Sequence, residues 1–239
     1  MDWKAMFPNL NVMWTRWSGY MVVKDRGGAE YLVPTPDAVA LTYDCVQQSE
    51  TLVADALELG RRLHEGTSEG NSLCAIFAAR HGLLGLNAEV DTAFSEDLDF
   101  PPCFRPLNSR DYGEDLGLFQ ANFLQLYQHF ETTRGELPVS QEYSRVMDLS
   151  GLLNYRLSSG QTPQLMWEMR SMKSVIQLAY AALISGSVVP LKKCKNCGKV
   201  YYNSHAKSEF CEAKCRNYYN VKVFRDKGKT SANESREGI

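Results

Sequence analysis

The rhythm of apolar and polar positions changes several times along the chain. The first 35 residues are aromatic and strand-like. "GYMVVKDRGGAEYLVP" reads as two short strands around Gly27-Gly28, which predicts a β-hairpin within 19–34. From Thr35 the spacing lengthens to that of a helix. Thr35 reads as an N-cap with Pro36 at the first helical position, and Gly66 as the stop. Between them Val39, Tyr43, Val46, Leu52, Ala56 and Leu59 form an apolar stripe. A second helix is predicted over "NSLCAIFAARHGLLG", ending near Gly82 or Gly85.

Residues 86–111 read as loop, with an acidic patch "SEDLDF" and a Pro101-Pro102 breaker. Helical spacing resumes in "EDLGLFQANFLQLYQHFETTRG", where Leu116, Phe119, Phe123, Leu126 and Phe130 share one face. A shorter segment follows in "QEYSRVMDLSGLLNYRL". Thr162-Pro163 then repeats the cap-plus-proline start of a helix running to Gly186, with Leu165, Met169, Met172, Ile176, Ala179 and Leu183 as its stripe. The expectation is a mainly α protein: a helical body at 1–190 with a small N-terminal β element, joined almost without linker to a C-terminal module at 191–230. A disordered tail is expected at 231–239.

The module holds four of the seven cysteines, spaced Cys194-x2-Cys197, thirteen residues, then Cys211-x3-Cys215. In "CKNCG" the sulfurs flank a tight turn, and Gly198 can take the positive φ of such a knuckle. In "CEAKC" the i and i+4 positions lie on one face of a helix, so both thiolates point the same way. Between the pairs, "KVYYNSHAKSEF" predicts a hairpin carrying Val200, Tyr202 and Phe210 toward the site. Knuckle, hairpin and helix describe a treble-clef finger. Four thiolates in a reduced compartment select Zn2+, one ion, held structurally because a closed sulfur sphere leaves no position for water. Cys45, Cys74 and Cys103 are scattered singly, and an odd count argues against a disulfide framework. No run approaches the roughly 18 apolar residues of a membrane span. The N-terminal residues lack the layout of a secretory signal. A cytoplasmic protein is expected.

Charge divides the chain. The formal net charge is −2. Between Leu191 and Thr230, however, eleven Lys/Arg face three Asp/Glu, a local +8, while residues 1–190 carry 14 basic and 23 acidic side chains, a local −9. A basic module on an acidic body suits phosphate contacts through Lys199, Lys207, Lys214, Arg216, Lys222 and Arg225. Tyr218, Val221 and Phe224 are expected to face the hairpin, with Tyr201, Tyr219 or His205 available to stack on exposed bases.

The module "LKKCKNCGKVYYNSHAKSEFCEAKCRNYYNVKVFR", after a helix ending "AYAALISGSVVP", resembles the C-terminal treble-clef fingers of bacterial CGNR-type proteins. The shared features are Cys194, Cys197-Gly198, the aromatic pair after it, Phe210-Cys211, Cys215 followed by Asn217, and the basic tail. The family pattern reads Cys-Gly-Asn-Arg at the last ligand, whereas this chain reads Cys215-Arg216-Asn217-Tyr218. The resemblance implies zinc ligation by the four cysteines and a transcription-regulator role with a helical N-terminal region.

Catalytic motifs are lacking: no phosphate-cradling glycine loop, nucleophile elbow, His-Glu-x-x-His or dinucleotide fingerprint is present. Asp91, Glu96, Asp97 and Asp99 read as a solvated acidic loop, and His205 as a loop histidine. His64 and His81 read as helix-end residues and His129 as lying at a solvent edge. Trp3, Trp14, Trp17 and Trp167 read as core. The leading expectation is a non-enzymatic bacterial DNA- or RNA-binding regulator whose body senses a ligand or forms a homodimer. The alternative is a protein-interaction module in which the finger is a structural element docked on the acidic body. A third reading places an enzyme of unknown chemistry in the body.

Overall fold

The structure, a computed structural model, describes residues 10, 12–86, 110–135, 147–158, 164–186, 189–205 and 207–234. The chain runs β1 (Met13–Trp17), β2 (Tyr20–Lys24), β3 (Glu30–Pro34), β4 (Ala40–Asp44) and a 3-10 turn (Cys45–Gln48). Helices α1 (Ser49–His64) and α2 (Gly70–His81) follow, then β5 (Glu114–Asp115), α3 (Leu116–Thr133), β6 (Asn154–Ser158) and β7 (Gln164–Glu168). The chain ends with α4 (Met172–Ile184), β8 (Leu191–Lys193), β9 (Val200–Tyr202) and α5 (Ala213–Glu234). Helices take about 46% and strands about 19% of the described residues, so the fold is mixed α/β and not mainly α as expected.

Two stretches read as helix are strands. Thr35 and Pro36 begin a turn, in which the Ala38 N–H donates to the Thr35 carbonyl at 3.0 Å. Residues 40–44 then pair antiparallel with β1, from Met13↔Asp44 to Trp17↔Ala40. The helix starts only at Ser49, and Val39, placed in the predicted stripe, is 70% exposed. Pairing across some 27 residues leaves no trace in local periodicity. Likewise Gln164–Glu168 pairs with Asn154–Ser158. There Leu165 and Met169 fit a helical stripe as readily as Leu165 and Trp167 fit an alternating strand. The true N-cap of α4 is Ser171, whose hydroxyl accepts the Ser174 N–H at 3.0 Å. Thr162-Pro163, the acidic loop at 91–99 and Trp3 lie outside the described residues.

The hairpin β2–β3 turns through Gly28 at φ +87° and gains β5 as a third strand. Helix α1 is the centre of the body, lying against α3, α4, α2 and strand β9. Its Leu52, Val53, Ala56 and Leu57 are buried, as are Leu116, Phe119, Phe123, Leu126 and Phe130 of α3. Phe123 meets Phe77 and Phe119 edge-on, with ring centroids 4.6 and 5.0 Å apart. At Gly60 the backbones of α1 and α3 come close: a Cβ there would stand 2.2 Å from the Phe123 carbonyl oxygen. Trp14 and Trp17 are buried, and Trp167 packs half-buried against the same core.

A buried carboxylate organises the exit from α2. Glu114 accepts the backbone N–H of Leu84 at 2.9 Å, of Gly85, and of Leu86 at 3.0 Å, and the Tyr112 hydroxyl at 2.8 Å. Burial raises its pKa against the pull of those donors. Helix α5 continues through Glu234, so the stretch expected as tail begins inside a helix, and 235–239 lie outside the described residues. No described helix is long and apolar enough to cross a membrane.

Candidate metal centre and basic helix

Strands β8 and β9 pair from Leu191↔Tyr202 to Lys193↔Val200, and the first cysteine pair sits in the turn between them. The Cys194 N–H donates to the Lys199 carbonyl and the Gly198 N–H to the Cys194 carbonyl, each at 2.9 Å. Gly198 has φ +73°, which closes this turn without the penalty a side chain would bring. The Lys195 N–H reaches the Glu209 carbonyl at 3.0 Å, drawing the returning loop beside the turn. That places Cys211 just before α5 and Cys215 in its first turn.

Four sulfurs converge. The ligand atoms of Cys194, Cys197, Cys211 and Cys215 all lie within 4.8 Å of one another, positioned to hold a metal ion. Cys211 and Cys215 are 3.5 Å apart, and Cys197 lies 3.7 Å from each of them. A tetrahedral ion with bonds of about 2.3 Å to sulfur sets its ligands about 3.8 Å apart, whereas a disulfide needs about 2.05 Å. The spacing is that of a metal cage. Burial opposes ionisation of Cys194, but backbone N–H donors from Cys211, Cys197 and Asn196 outweigh it and lower its thiol to about 6. Burial, and then the neighbouring Cys215, Cys194 and Cys197, push the Cys211 thiol up. Four sulfurs this close disfavour one another's ionisation unless a cation sits between them.

The hairpin is placed differently from the sequence expectation. Its first strand precedes the cysteines, and Tyr201 rather than Val200 or Tyr202 faces the centre. Tyr201 is 8% exposed and shares a small core with Cys194, Cys215 and the half-buried Phe210. Val200 points the other way, with Leu191, into the main core of the body, where both are buried. The Val200 N–H donates to Glu58 Oε2 of α1 at 3.0 Å. Glu58 in turn holds the buried Arg61 by two bonds, Nε–Oε2 at 2.8 Å and Nη2–Oε1 at 2.6 Å. Lys193 Nζ lies 2.9 Å from the buried Glu131 of α3, over the Tyr127 ring. Glu58, Arg61 and Glu131 went unnoticed in the sequence. A Glu-x-x-Arg spacing on a helix is common, and only its burial here sets it apart.

The basic side chains divide into two groups. Lys193 and Lys195 are ion-paired with Glu131 and Glu209, and Lys192 donates to the His205 carbonyl. Lys199, Lys207, Lys214, Arg216, Lys222 and Arg225 are exposed, and none has a carboxylate at ion-pair distance among the described residues. Helix α5 turns Cys215, Tyr219 and Val223 inward at four-residue spacing, and Tyr219 meets Phe210 at 5.3 Å. Tyr218, Val221 and Phe224, expected against the hairpin, are 60%, 49% and 80% exposed.

His205 is exposed in the loop. His64 stacks obliquely on Tyr127. The buried His81 meets Asp55 at 2.8 Å. His129 is half-buried, with Nδ1 2.8 Å from the hydroxyl of the buried Tyr180. Comparisons with known proteins find no matching family model, no matching curated protein and no matching solved structure.

Proposed function

We propose that the four cysteines hold one structural Zn2+ and that the protein is a non-enzymatic DNA- or RNA-binding protein. Sulfur ligands at tetrahedral spacing suit zinc, and four of them complete its coordination, so the ion supports a fold and not a reaction. The observation that carries the binding reading is the division among the basic residues. Docking of the finger on the acidic body uses Lys193, the Val200 N–H and the apolar faces of β8 and β9. The six exposed cations of the knuckle, loop and α5 are left over from it. The resemblance of the finger to those of CGNR-type proteins points the same way.

A second reading has its own support. The hairpin is packed into the body core, as expected of a finger that serves as a structural element docked on the body in a protein-interaction module. The two are separated by titrating zinc-loaded protein against labelled duplex DNA and single-stranded RNA at low and high salt. Six phosphate contacts on duplex DNA should cost about a thousandfold in affinity between roughly 50 and 200 mM salt. No binding at low salt would end the nucleic-acid reading and leave the second.

A further inference from the structure

The outer face of α5 carries a pattern that phosphate binding alone does not require. Opposite the inward-facing Cys215, Tyr219 and Val223, the helix presents Tyr218, Val221 and Phe224, bordered by Lys214, Lys222 and Arg225. Phe224 is 80% exposed, the most exposed of the large apolar side chains described. Lys214 Nζ sits 6.0 Å from the centroid of the Tyr218 ring, so cation and aromatic already share a surface. A bare phosphate surface would do as well with alanine or glutamine at positions 218 and 224.

We propose that Tyr218 and Phe224 are stacking platforms for unpaired bases, making α5 a single-stranded nucleic-acid surface. This rests on the nucleic-acid reading above and narrows it. Charge complementarity selects the occupant. An apolar protein groove seated on Tyr218 and Phe224 would desolvate three flanking cations without pairing them. A single strand supplies both counterparts, phosphates for Lys214, Lys222 and Arg225 and flat π-faces for the rings. In a B-form duplex those faces are hidden within the stack, so the rings would gain little there. Six residues of helix separate the two aromatics by about 9 Å along the axis, which makes them two distinct base positions. The sequence had nominated Tyr201, Tyr219 and His205 for this role. Tyr201 is buried in the finger and Tyr219 is turned against Phe210, so the first two cannot offer an open face.

The test is fluorescence anisotropy of zinc-loaded, full-length protein with labelled oligothymidine and with a duplex of equal length. Wild type is compared with Tyr218→Ala/Phe224→Ala, Phe224→Leu and Arg216→Glu/Lys222→Glu, after metal content and circular dichroism show each variant folded. Tighter binding to oligothymidine than to duplex is expected. The double alanine variant should lose about tenfold or more on the single strand, with an unchanged salt slope and unchanged duplex affinity. Phe224→Leu should not restore it, because leucine keeps the apolar area and lacks the π-face. Undiminished oligothymidine binding by the double alanine variant overturns the stacking role. If the charge reversal still abolishes that binding, the broader nucleic-acid reading survives. Failure of wild type to bind either probe at low salt overturns both. Phe224-dependent binding to phosphatidylserine vesicles, with no oligonucleotide binding, assigns the face to lipid and overturns the proposal.

Discussion

The Glu58 carboxylate of α1 accepts the Val200 backbone N–H of β9 at 3.0 Å, joining residues 142 positions apart, while its two oxygens also grip Arg61. One side chain therefore ties the cysteine-bearing hairpin to the centre of the body. Glu58→Ala should cost about 2–3 kcal/mol of stability, because it orphans a buried N–H and leaves the 7%-exposed Arg61 with Glu65 alone. Urea unfolding of metal-loaded protein measures it. A loss below about 0.5 kcal/mol, the ordinary effect of a surface substitution, would show that the contact does not anchor the finger.

Metal removal should be felt far from the sulfurs. Leu191 and Val200 belong to the main core, so a hairpin that loosens without its ion takes two buried side chains with it. Chelation is expected to lower the melting temperature in a single transition seen equally by tryptophan fluorescence and far-ultraviolet circular dichroism. Two separate transitions, with the body unshifted, would mean that the finger folds alone.

How far the sequence revealed this arrangement depends on how local each feature is. The cysteine cage was legible because two short spacings and one glycine carry it, and the five-residue stripe of α3 was legible because a helix repeats within its own length. Strand β4 was not, since what makes Leu41 extended is β1, paired from Met13 to Trp17; β6 and β7 form a local hairpin, but Leu165 also fits the helical stripe that Met169 and Met172 continue. Thr35-Pro36 supplied a start signal that a turn uses as readily as a helix. The two-residue strand β5 pairs with β3 at the point where Glu114 accepts the N–H groups after α2, a contact with no local signature. Docking of the finger on the body was among the readings of the sequence, but the face it uses was not. Nothing in the Lys193–Val200 stretch says which face of a three-residue strand meets its own metal centre and which meets another core.

The ligand set should behave as a unit distinct from the other thiols. Cys194→Ser and Cys211→Ser are each expected to lose the metal, while Cys45→Ala and Cys74→Ala, both buried elsewhere, should keep one equivalent by elemental analysis. Acid should act in the same direction. Binding needs thiolates, and the Cys211 thiol lies above its ordinary range without a cation, so metal must displace protons and affinity must rise with pH. Occupancy that holds unchanged into acid would contradict a thiolate cage.

Reversal of Arg216 and Lys222 to Glu should weaken nucleic-acid binding at least a hundredfold, on the order of the loss expected when two phosphate contacts become repulsive. Both residues are exposed on α5, so metal content and melting temperature should be unaffected. Anisotropy titrations across several salt concentrations give the affinity and a shallower slope together. Equal affinity and slope would remove these two cations from the interface.

Gly60→Ala sets two effects against each other. Helix propensity favours alanine in the interior of α1 by about 1 kcal/mol. Packing opposes it, since the new Cβ would stand 2.2 Å from the Phe123 carbonyl oxygen, 2.7 Å from Tyr127 Cβ and 2.9 Å from the Phe123 carbonyl carbon. Two of those three atoms are backbone of α3 and cannot swing aside as a flexible side-chain end would. Relief requires α1 and α3 to separate, which would loosen the packing of Leu52, Ala56 and Leu57 in the buried core. Overpacking of this kind costs about 1–3 kcal/mol and more when backbone must move, so the steric effect wins. Gly60→Ala should be net destabilising by about 2 kcal/mol in urea unfolding, and Gly60→Ser at least as much. A stabilised alanine variant would show that α1 and α3 lie farther apart than this packing requires.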